Sequence, residues 1–202
     1  MKNLLTNETN SKQKIDKKIY DIKSEKLVRQ ANDNFIYFKD YEMALEQVEE
    51  ALDLDSTNVK ALVLKGNIFF SIEELEVAFE CFEKALEIDP YSVEAYSLKA
   101  NIFDINGKSK EALEACENAF KNLRKRDNEF LTCLYDQKIS ILIKLKKYKE
   151  AKLTLQESYK QLGEEDSSYI ASCYRDVIDI LHKEKTRKKT IALKRFKLVH
   201  NM

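Results

Sequence analysis

Small and apolar residues recur at fixed spacings between residues 59 and 92, and the intervals are those of two packed helices. Apolar positions three or four residues apart share one helix face, whereas the strict alternation of a strand is absent. Gly66 and Ala78 are small where two antiparallel helices would approach closely, and Phe69 and Phe82 fill the space that they leave. The full pattern is Leu62, Gly66, Phe69, Ala78, Phe82, Ala85 and Pro90. It predicts a helix–turn–helix unit, with the proline in the first turn of the next helix.

The same pattern recurs along the chain. The copies lie at 25–58, 59–92, 93–126 and 132–165. In the first copy, Asn32 stands in the place of Gly66; the alternative is a register shifted by one residue, with Ala31 at the close contact and a longer turn. In the third copy, Gly107 supplies a turn residue that can adopt a left-handed conformation. In the fourth copy, Ile139 replaces the glycine and predicts two helices pushed apart. Five residues interrupt the period between the third and fourth copies.

A helix–turn–helix unit with this 34-residue period resembles the tetratricopeptide repeat. The resemblance covers residues 25–184 and is closest in the second and third copies. It implies an all-α fold, a right-handed α-solenoid of antiparallel helix pairs with about four repeats plus capping helices. One helix pair cannot bury its apolar face alone, so neighbouring pairs must stack on each other.

The segments that flank the repeats are assigned by composition and periodicity. They are a disordered N-terminus at 1–11, an N-terminal helix at 12–24, four repeats at 25–165, a capping helix at 166–184, and a basic tail or degenerate last helix at 185–202. Ile15, Ile19 and Ile22 share one face of the N-terminal helix. This helix either caps the first repeat, continues into it, or forms a dimer.

Composition places few constraints beyond the helical class. The chain has 202 residues with only 3 Gly and 1 Pro, which favours helices. Neither a long apolar run nor a signal-peptide pattern is present, so we expect a cytoplasmic protein. The four cysteines are too far apart in sequence for zinc-ligand spacing, and we expect them to be reduced packing residues.

The formal net charge is zero but the charges are segregated. Residues 25–92 contain 6 basic and 16 acidic residues, a net charge of −10, whereas residues 183–202 contain 8 basic and 1 acidic residue, a net charge of +7. The acidic excess either solvates the outer helix faces, or attracts a basic partner or the basic tail of this chain itself. Because the acidic segment of one molecule can contact the basic segment of another, we expect weak self-association at low salt.

Proteins of this family bind peptides or proteins in a concave groove lined by the first helices, and the resemblance assigns the groove positions. The candidate partner-binding residues are Arg29, Asp33, Tyr37, Val63, Asn67, Phe70, Asn101, Asp104, Asp136 and Ser140. The remaining groove positions are Lys26, Ile36, Lys60, Ser71, Glu94, Ser97, Ile105, Cys133, Ile143 and Lys144. Asn67 and Asn101 occupy the same position in adjacent repeats, where amide groups can hold an extended peptide backbone. Tyr37, Val63 and Phe70 either form an apolar pocket or pack on a neighbouring helix.

The sequence argues against several other kinds of site. It contains no nucleophile–base pair, phosphate loop or metal cluster, so we expect no enzyme activity, no cofactor, no metal site and no small-molecule substrate. The groove has few cations, so contact with nucleic acid or a membrane is expected only through the basic tail. One subclass of the family clamps the C-terminal carboxylate of chaperone tails. Of its binding positions only Arg29 is compatible here, and the acidic groove would repel a carboxylate.

Two main hypotheses follow for the function. The first is a non-enzymatic scaffold or adaptor that binds a peptide or protein partner in the groove. The alternative is a cargo or secretion chaperone that dimerises through its N-terminal helix. A third and weaker hypothesis is a factor tethered to a membrane or nucleic acid by the basic tail.

Overall fold

The computed structural model describes residues 2–124 and 129–162, together with 168, 170–174, 179, 183, 186–188 and 190; for residues 2–16 it describes the backbone alone. The fold is all-α, with stacked antiparallel helix pairs, and no strand occurs among these residues. The helices are α1 (Lys2–Asp33), α2 (Tyr41–Leu54), α3 (Val59–Ser71), α4 (Leu75–Ile88), α5 (Val93–Ile105), α6 (Ser109–Asn122), α7 (Leu131–Lys144) and α8 (Tyr148–Gln161). A π-helix, Asn34–Phe38, follows α1. The chain divides into two compact units, Met1–Leu98 and Lys99–Met202.

The turn within each helix pair has a residue with positive φ. These residues are Lys39, Glu73, Gly107 and Lys146, with φ of 56°, 66°, 71° and 58°. The first three are 34 residues apart, and the fourth follows after five more, which matches the interruption between the third and fourth copies. In the last three turns, the next backbone N–H donates to the carbonyl five residues earlier at 2.8–2.9 Å. This bond is typical of a helix that ends in a left-handed residue.

The π-helix explains the register of the first repeat. Ala31 is fully buried, whereas Asn32 is half-buried, so the close contact lies one residue earlier than the regular spacing requires. The interval from Ala31 to the buried Ala44 is 13 residues, compared with 12 from Gly66 to Ala78. A π-helical turn takes up such an added residue because each of its hydrogen bonds spans one residue more than in an α-helix. The shifted register is therefore the correct one.

Short polar side chains cap the starts of α2 and α3. Asp40 accepts a hydrogen bond from Met43 N at 3.0 Å, and Asn58 accepts one from Ala61 N at 3.1 Å. Such caps satisfy backbone N–H groups that the first helical turn leaves without a partner. Asn58 also donates from its amide to Ser24 Oγ at 2.8 Å, and Ser24 Oγ donates to the carbonyl of Ala51 at 2.9 Å. The fully buried Ser24 thus connects α1 to the junction of α2 and α3.

The core of the first unit depends on small residues at the helix contacts. Ala31, Ala44, Ala51, Ala61, Ala78 and Ala85 are all fully buried. Gly66 lies directly against the fully buried ring of Phe82: a Cβ atom at Gly66 would be only 2.4 Å from Phe82 Cε1. Gly66 is therefore small where α3 and α4 approach closely, and Phe82 fills the space beside it, as predicted.

α1 is longer than the sequence predicted. It runs without a break from Lys2 to Asp33, so the boundaries predicted at residues 11 and 24 differ from the helical backbone. The first 33 residues contain neither Gly nor Pro, and no residue there interrupts a helix. Ile19 and Ile22, on the predicted capping face, are 44% and 58% exposed. Of the three roles considered, continuation into the first repeat agrees with the structure, whereas these side chains do not cover that repeat.

The second unit packs around α7. Leu134, Ile139 and Leu142 are buried on α7, and Ala151 and Leu155 are buried on α8. The ring of Tyr135 meets that of Phe120 edge-on, with centroids 5.1 Å apart. The bulky Ile139 is accommodated with no exposed surface, and Leu155 stands where the second helix pair has the larger Phe82.

The cysteines divide into two classes. Cys81 and Cys116 are buried, and burial raises the pKa of the Cys116 thiol to about 12. Cys133 and Cys173 are exposed, so the prediction that all four are packing residues is wrong for these two. Cys133 lies at a predicted groove position on α7, and its side chain is exposed.

The C-terminal predictions fall largely outside the described residues. Within the predicted capping helix at 166–184, Ile170 and Ala171 are helical and buried, and Lys152 forms an ion pair with Asp179 at 2.6 Å. Most of the predicted basic tail or last helix at 185–202 lies outside the described residues. Within the described part of the chain, no helix combines the length and the apolar character needed to cross a bilayer.

Candidate peptide-binding groove

The first unit contains a cavity of about 220 Å³ between its first helices. Side chains from the end of α1, from α3 and from the start of α5 line it, and they are Val28, Arg29, Asn32, Lys60, Val63, Leu64, Asn67 and Glu94. Val63 and Leu64 are buried and form an apolar wall. Apolar walls combined with a few polar groups are typical of ligand pockets.

Two asparagines occupy equivalent positions in this cavity. Asn32 follows the buried Ala31, just as Asn67 follows the buried Gly66. Both are half-buried, and neither side-chain amide is hydrogen-bonded to another residue in the part of the chain that the structure describes. Each amide therefore keeps one acceptor and two donor hydrogens for a ligand. The one-residue shift produced by the π-helix creates this pair.

The shift also corrects the positions predicted for repeat one. Regular spacing assigned Asp33 to the place equivalent to Asn67, but Asp33 is exposed and does not line the cavity. Asn32, predicted at the close contact between the helices, instead occupies the position equivalent to Asn67. Arg29 does line the cavity, although in the shifted register it corresponds to Leu64 rather than Val63. The sequence signal for Asn32 as a groove residue is the small Ala31 before it, which matches Gly66 before Asn67.

The predicted apolar pocket is not formed as a unit. Val63 contributes to the cavity, whereas Tyr37 and Phe70 do not line it. Phe70 is half-buried, and Tyr37 is 75% exposed in the π-helix. Tyr37 therefore belongs to a different surface from the asparagine pair.

The charged residues of the cavity are of both signs. Arg29 and Lys60 are exposed cations at its edge, and Glu94 adds one carboxylate from α5. Arg29 Nε also donates a long hydrogen bond to the carbonyl of Glu25 at 3.5 Å. The cavity is therefore less acidic than the net charge of residues 25–92 suggests, because the acidic side chains concentrate on other surfaces.

In the second unit, predicted groove residues are hydrogen-bonded to side chains of a neighbouring helix. Gln137 Nε2 donates to Asn101 Oδ1 at 2.6 Å, and Lys144 Nζ donates to Asp104 Oδ2 at 2.5 Å. Asp104 Oδ1 is buried and has no hydrogen-bond partner among the described residues. Neighbouring first helices are therefore joined through groups that the sequence assigned to a ligand. Gln137 was not predicted, since such a contact depends on how adjacent helices pack rather than on the repeat spacing.

Asp136 and Ser140 are engaged in the same way by Tyr174. Tyr174 is half-buried, and its hydroxyl interacts with both side chains. Burial raises the pKa of Tyr174 to about 12, and the negative charge of Asp136 and its hydrogen bond act in the same direction. The hydroxyl therefore stays protonated at neutral pH and can donate to a carboxylate. These interactions place Tyr174 beside α7.

Comparison with protein families identifies the repeats. The profile described as Tetratricopeptide repeat matches residues 59–92, which are α3, α4 and their turns. A second profile with the same description matches residues 81–114, from α4 through α5 into α6. The first match has the same limits as the second sequence copy. No curated protein is similar enough to this chain to count as a relative.

Solved structures similar to this fold include several repeat proteins. YrrB, described as a TPR protein with an unusual peptide-binding site, has a TM-score of 0.58 and 23% identity over 79% of this chain and 76% of its own. PilF of Pseudomonas aeruginosa has a TM-score of 0.65 and 15% identity over 78% and 71%. The TPR2B domain of yeast Sti1, in complex with pHsp70, has a TM-score of 0.54 and 18% identity over 59% and 96%. Together with the profile matches, the stacked helix pairs show that the chain belongs to the tetratricopeptide repeat protein family.

Proposed function

We propose that this protein is a non-enzymatic interaction module, a scaffold or adaptor that binds an extended peptide segment of a partner in the groove of its first unit. The observation that carries the proposal is the asparagine pair. Asn32 and Asn67 present unengaged amides to one cavity, whereas Asn101, Asp104, Asp136 and Ser140 contact other residues of the chain. The peptide-binding groups are therefore concentrated between α1 and α3.

The spacing of the two asparagines suits an extended chain. Adjacent packed helices are separated by roughly 8–10 Å, and an extended peptide advances by about 3.3 Å per residue. Equivalent positions on α1 and α3 therefore lie about three peptide residues apart. Two amides at this spacing can each exchange hydrogen bonds with a peptide unit, while Val28 and Val63 contact an apolar side chain between them.

Two structurally similar proteins support the class of ligand. YrrB has an unusual peptide-binding site, and the Sti1 domain is in complex with pHsp70. This chain lacks most of the residues of the carboxylate clamp, and Glu94 stands in the cavity. The proposed ligand is therefore an internal segment held through its backbone, rather than a C-terminal carboxylate.

Peptide selection followed by mutagenesis tests this proposal. Peptides selected from a displayed random library on the full chain are synthesised, and their Kd is measured by fluorescence anisotropy. A hydrogen bond contributes about 0.5–1.5 kcal/mol, so Asn32→Ala with Asn67→Ala is expected to weaken binding by roughly 5- to 150-fold. The matched variant Asn101→Ala is expected to leave Kd within about twofold. Equal losses in both variants, or none in the double variant, would refute the assignment of the groove.

The chaperone alternative is favoured by one specific observation. Ile19, Tyr20 and Ile22 are 44%, 48% and 58% exposed on α1. Large apolar side chains that share an exposed helix region are typical of a protein interface. A dimer formed through α1 is therefore expected to dissociate when Ile19→Ser and Ile22→Ser are combined. Sedimentation velocity checks this, and a monomer for both the native chain and the variant would remove the alternative.

A further inference from the structure

Exposed apolar side chains outside the groove lie at the turn between α1 and α2 and at the equivalent turn between α3 and α4. We call this group of residues the π-turn surface. It consists of Ile36, Tyr37, Phe38, Met43 and Ile72. Tyr37 and Phe38 are 75% and 73% exposed, and the other three are between 43% and 44% exposed. Phe38 and Ile72 each precede the left-handed residue of their turn, so they lie at the same end of adjacent helix pairs.

The π-helix is the reason that these side chains face solvent. None of its five residues is fully buried. Phe35 is half-buried and packs on Tyr41, with ring centroids 5.9 Å apart, and Lys39 Nζ lies 6.0 Å from the Phe35 ring centroid. Phe35 therefore packs against the core, whereas Tyr37 and Phe38 remain exposed to solvent. Short π-helical turns are frequent at functional sites, and contiguous exposed apolar groups mark interaction surfaces.

Acidic residues surround this surface. They are Asp33, Asp40, Glu42, Glu73, Glu74 and Glu76, and all of them are exposed. Lys39 is the basic residue within the same two stretches, 33–43 and 72–76. The surface is therefore complementary to a segment that combines large apolar residues with a high positive charge.

The chain itself contains such a segment. Residues 183–202 include 8 basic residues and 1 acidic residue. Ile191, Leu193, Phe196, Leu198 and Val199 supply apolar side chains among these charges. Lys183, Arg187 and Lys188 are exposed, as a segment that binds another molecule requires.

We propose that the π-turn surface of one molecule binds residues 183–202 of a second copy. Apolar residues of the segment cover Tyr37 and Phe38, and its lysines and arginines face the acidic rim. The contact is heterologous because it joins two different surfaces, so each molecule retains one free surface and one free segment. The proposal is independent of peptide binding by the asparagine pair.

Sedimentation velocity of the full chain over a range of concentrations tests the proposal. Self-association is expected at about 50 mM salt, and its association constant is expected to fall about tenfold or more by roughly 300 mM salt because exposed charges are screened. Tyr37→Ser with Phe38→Ser is expected to reduce the constant about tenfold or more. These side chains are mostly exposed, so the substitutions leave the fold intact, which circular dichroism verifies. Leu153→Ser, at a 63% exposed apolar residue of α8, is the matched control.

A charge exchange identifies the two contacting surfaces. Glu73→Lys with Glu74→Lys is expected to abolish association. Addition of Lys194→Glu, Arg195→Glu and Lys197→Glu to the same chain is expected to restore it, since the two surfaces are again complementary. Failure of the second set to restore association, or persistence of association in the first, would overturn the proposal.

A labelled synthetic peptide of residues 183–202 separates this surface from the groove. The peptide is expected to bind the full chain and to lose affinity with the Tyr37 and Phe38 substitutions, but not with Asn32→Ala and Asn67→Ala. A peptide of the same composition in scrambled order is expected to bind at least several-fold more weakly. Equal binding of the scrambled peptide would show charge attraction alone, and loss of binding in the asparagine variant would place the segment in the groove. Either result refutes the proposal.

Discussion

Substitution of Gly66 by alanine tests the close contact between α3 and α4. The added Cβ would lie 2.4 Å from Phe82 Cε1 and 2.9 Å from both Cδ1 and Cζ, whereas ordinary contacts begin at 3.4 Å. The ring must therefore move by about 1 Å, but it is fully buried and cannot swing into solvent. Overpacking of this kind costs roughly 1–3 kcal/mol, and the upper end is expected for a rigid ring.

Helix propensity acts in the opposite direction. Alanine is more favourable than glycine in a helix interior by about 1 kcal/mol. The net loss expected for Gly66→Ala is therefore about 2 kcal/mol, which corresponds to a fall in Tm of roughly 4–8 °C for a chain of this size. Urea unfolding followed by circular dichroism measures the free energy of unfolding. Asn67→Ala, on the next residue of the same helix, is the control and is expected to change stability by less than about 0.5 kcal/mol.

A double substitution establishes the cause of the loss. Phe82→Leu removes Cε1 and Cζ, two of the three ring atoms that the new Cβ would meet. The loss for the combined variant is expected to be smaller than the sum of the single losses by at least about 1 kcal/mol. Simple additivity, or a Gly66→Ala variant that is more stable than the native chain, would refute the close contact.

Three further predictions concern the helix contacts, the turns and the cysteines. Ala78→Leu is expected to lower the free energy of unfolding by roughly 1–3 kcal/mol, whereas Glu76→Leu, on the exposed face, costs far less in the same assay. Lys146 and Gly107 both have positive φ, a conformation that glycine adopts more readily than residues with a Cβ. Lys146→Gly is therefore expected to raise the free energy of unfolding, and with it Tm, and Gly107→Ala to lower both. Each change in free energy is expected to be about 1 kcal/mol. Two of the four thiols are expected to react rapidly with a disulfide reagent at neutral pH. Cys81 and Cys116 are expected to react only after unfolding, because burial raises the pKa of both thiols. The fast class is Cys133 and Cys173.

The repeat spacing predicted much of the fold because it encodes contacts within a helix pair. The copy predicted at 59–92 is observed as the helix pair α3 and α4, from Val59 to Ile88. Gly66 and Ala78 could be placed correctly because only small residues fit where two helices touch.

The spacing could not establish features that depend on local insertions. The sequence Asn34–Phe38 has no composition that favours a π-helix, so the one-residue shift could be stated only as an alternative. The shift in turn replaces Asp33 with Asn32 in the candidate groove. The length of α1 was missed for a related reason: polar residues 2–11 lack an apolar face but also lack any residue that ends a helix.

Contacts between neighbouring helix pairs were the least predictable from sequence. The repeat pattern assigns Asn101 and Ser140 to the groove, but it does not show that Gln137 and Tyr174 reach them. Such contacts depend on the angle and rise between helix pairs. The difference between an open groove in the first unit and engaged groups in the second is therefore a structural result.

The side-chain amide signals of Asn32 and Asn67 provide the most direct test of peptide binding by the first unit. The isotope-labelled full chain is titrated with the tightest selected peptide and followed by nuclear magnetic resonance. The NH₂ signals of Asn32 and Asn67 are expected to shift together and to saturate at one equivalent, while the signal of Asn101 stays in place. Saturable shifts at Asn101 with unchanged signals from Asn32 and Asn67 would contradict the account.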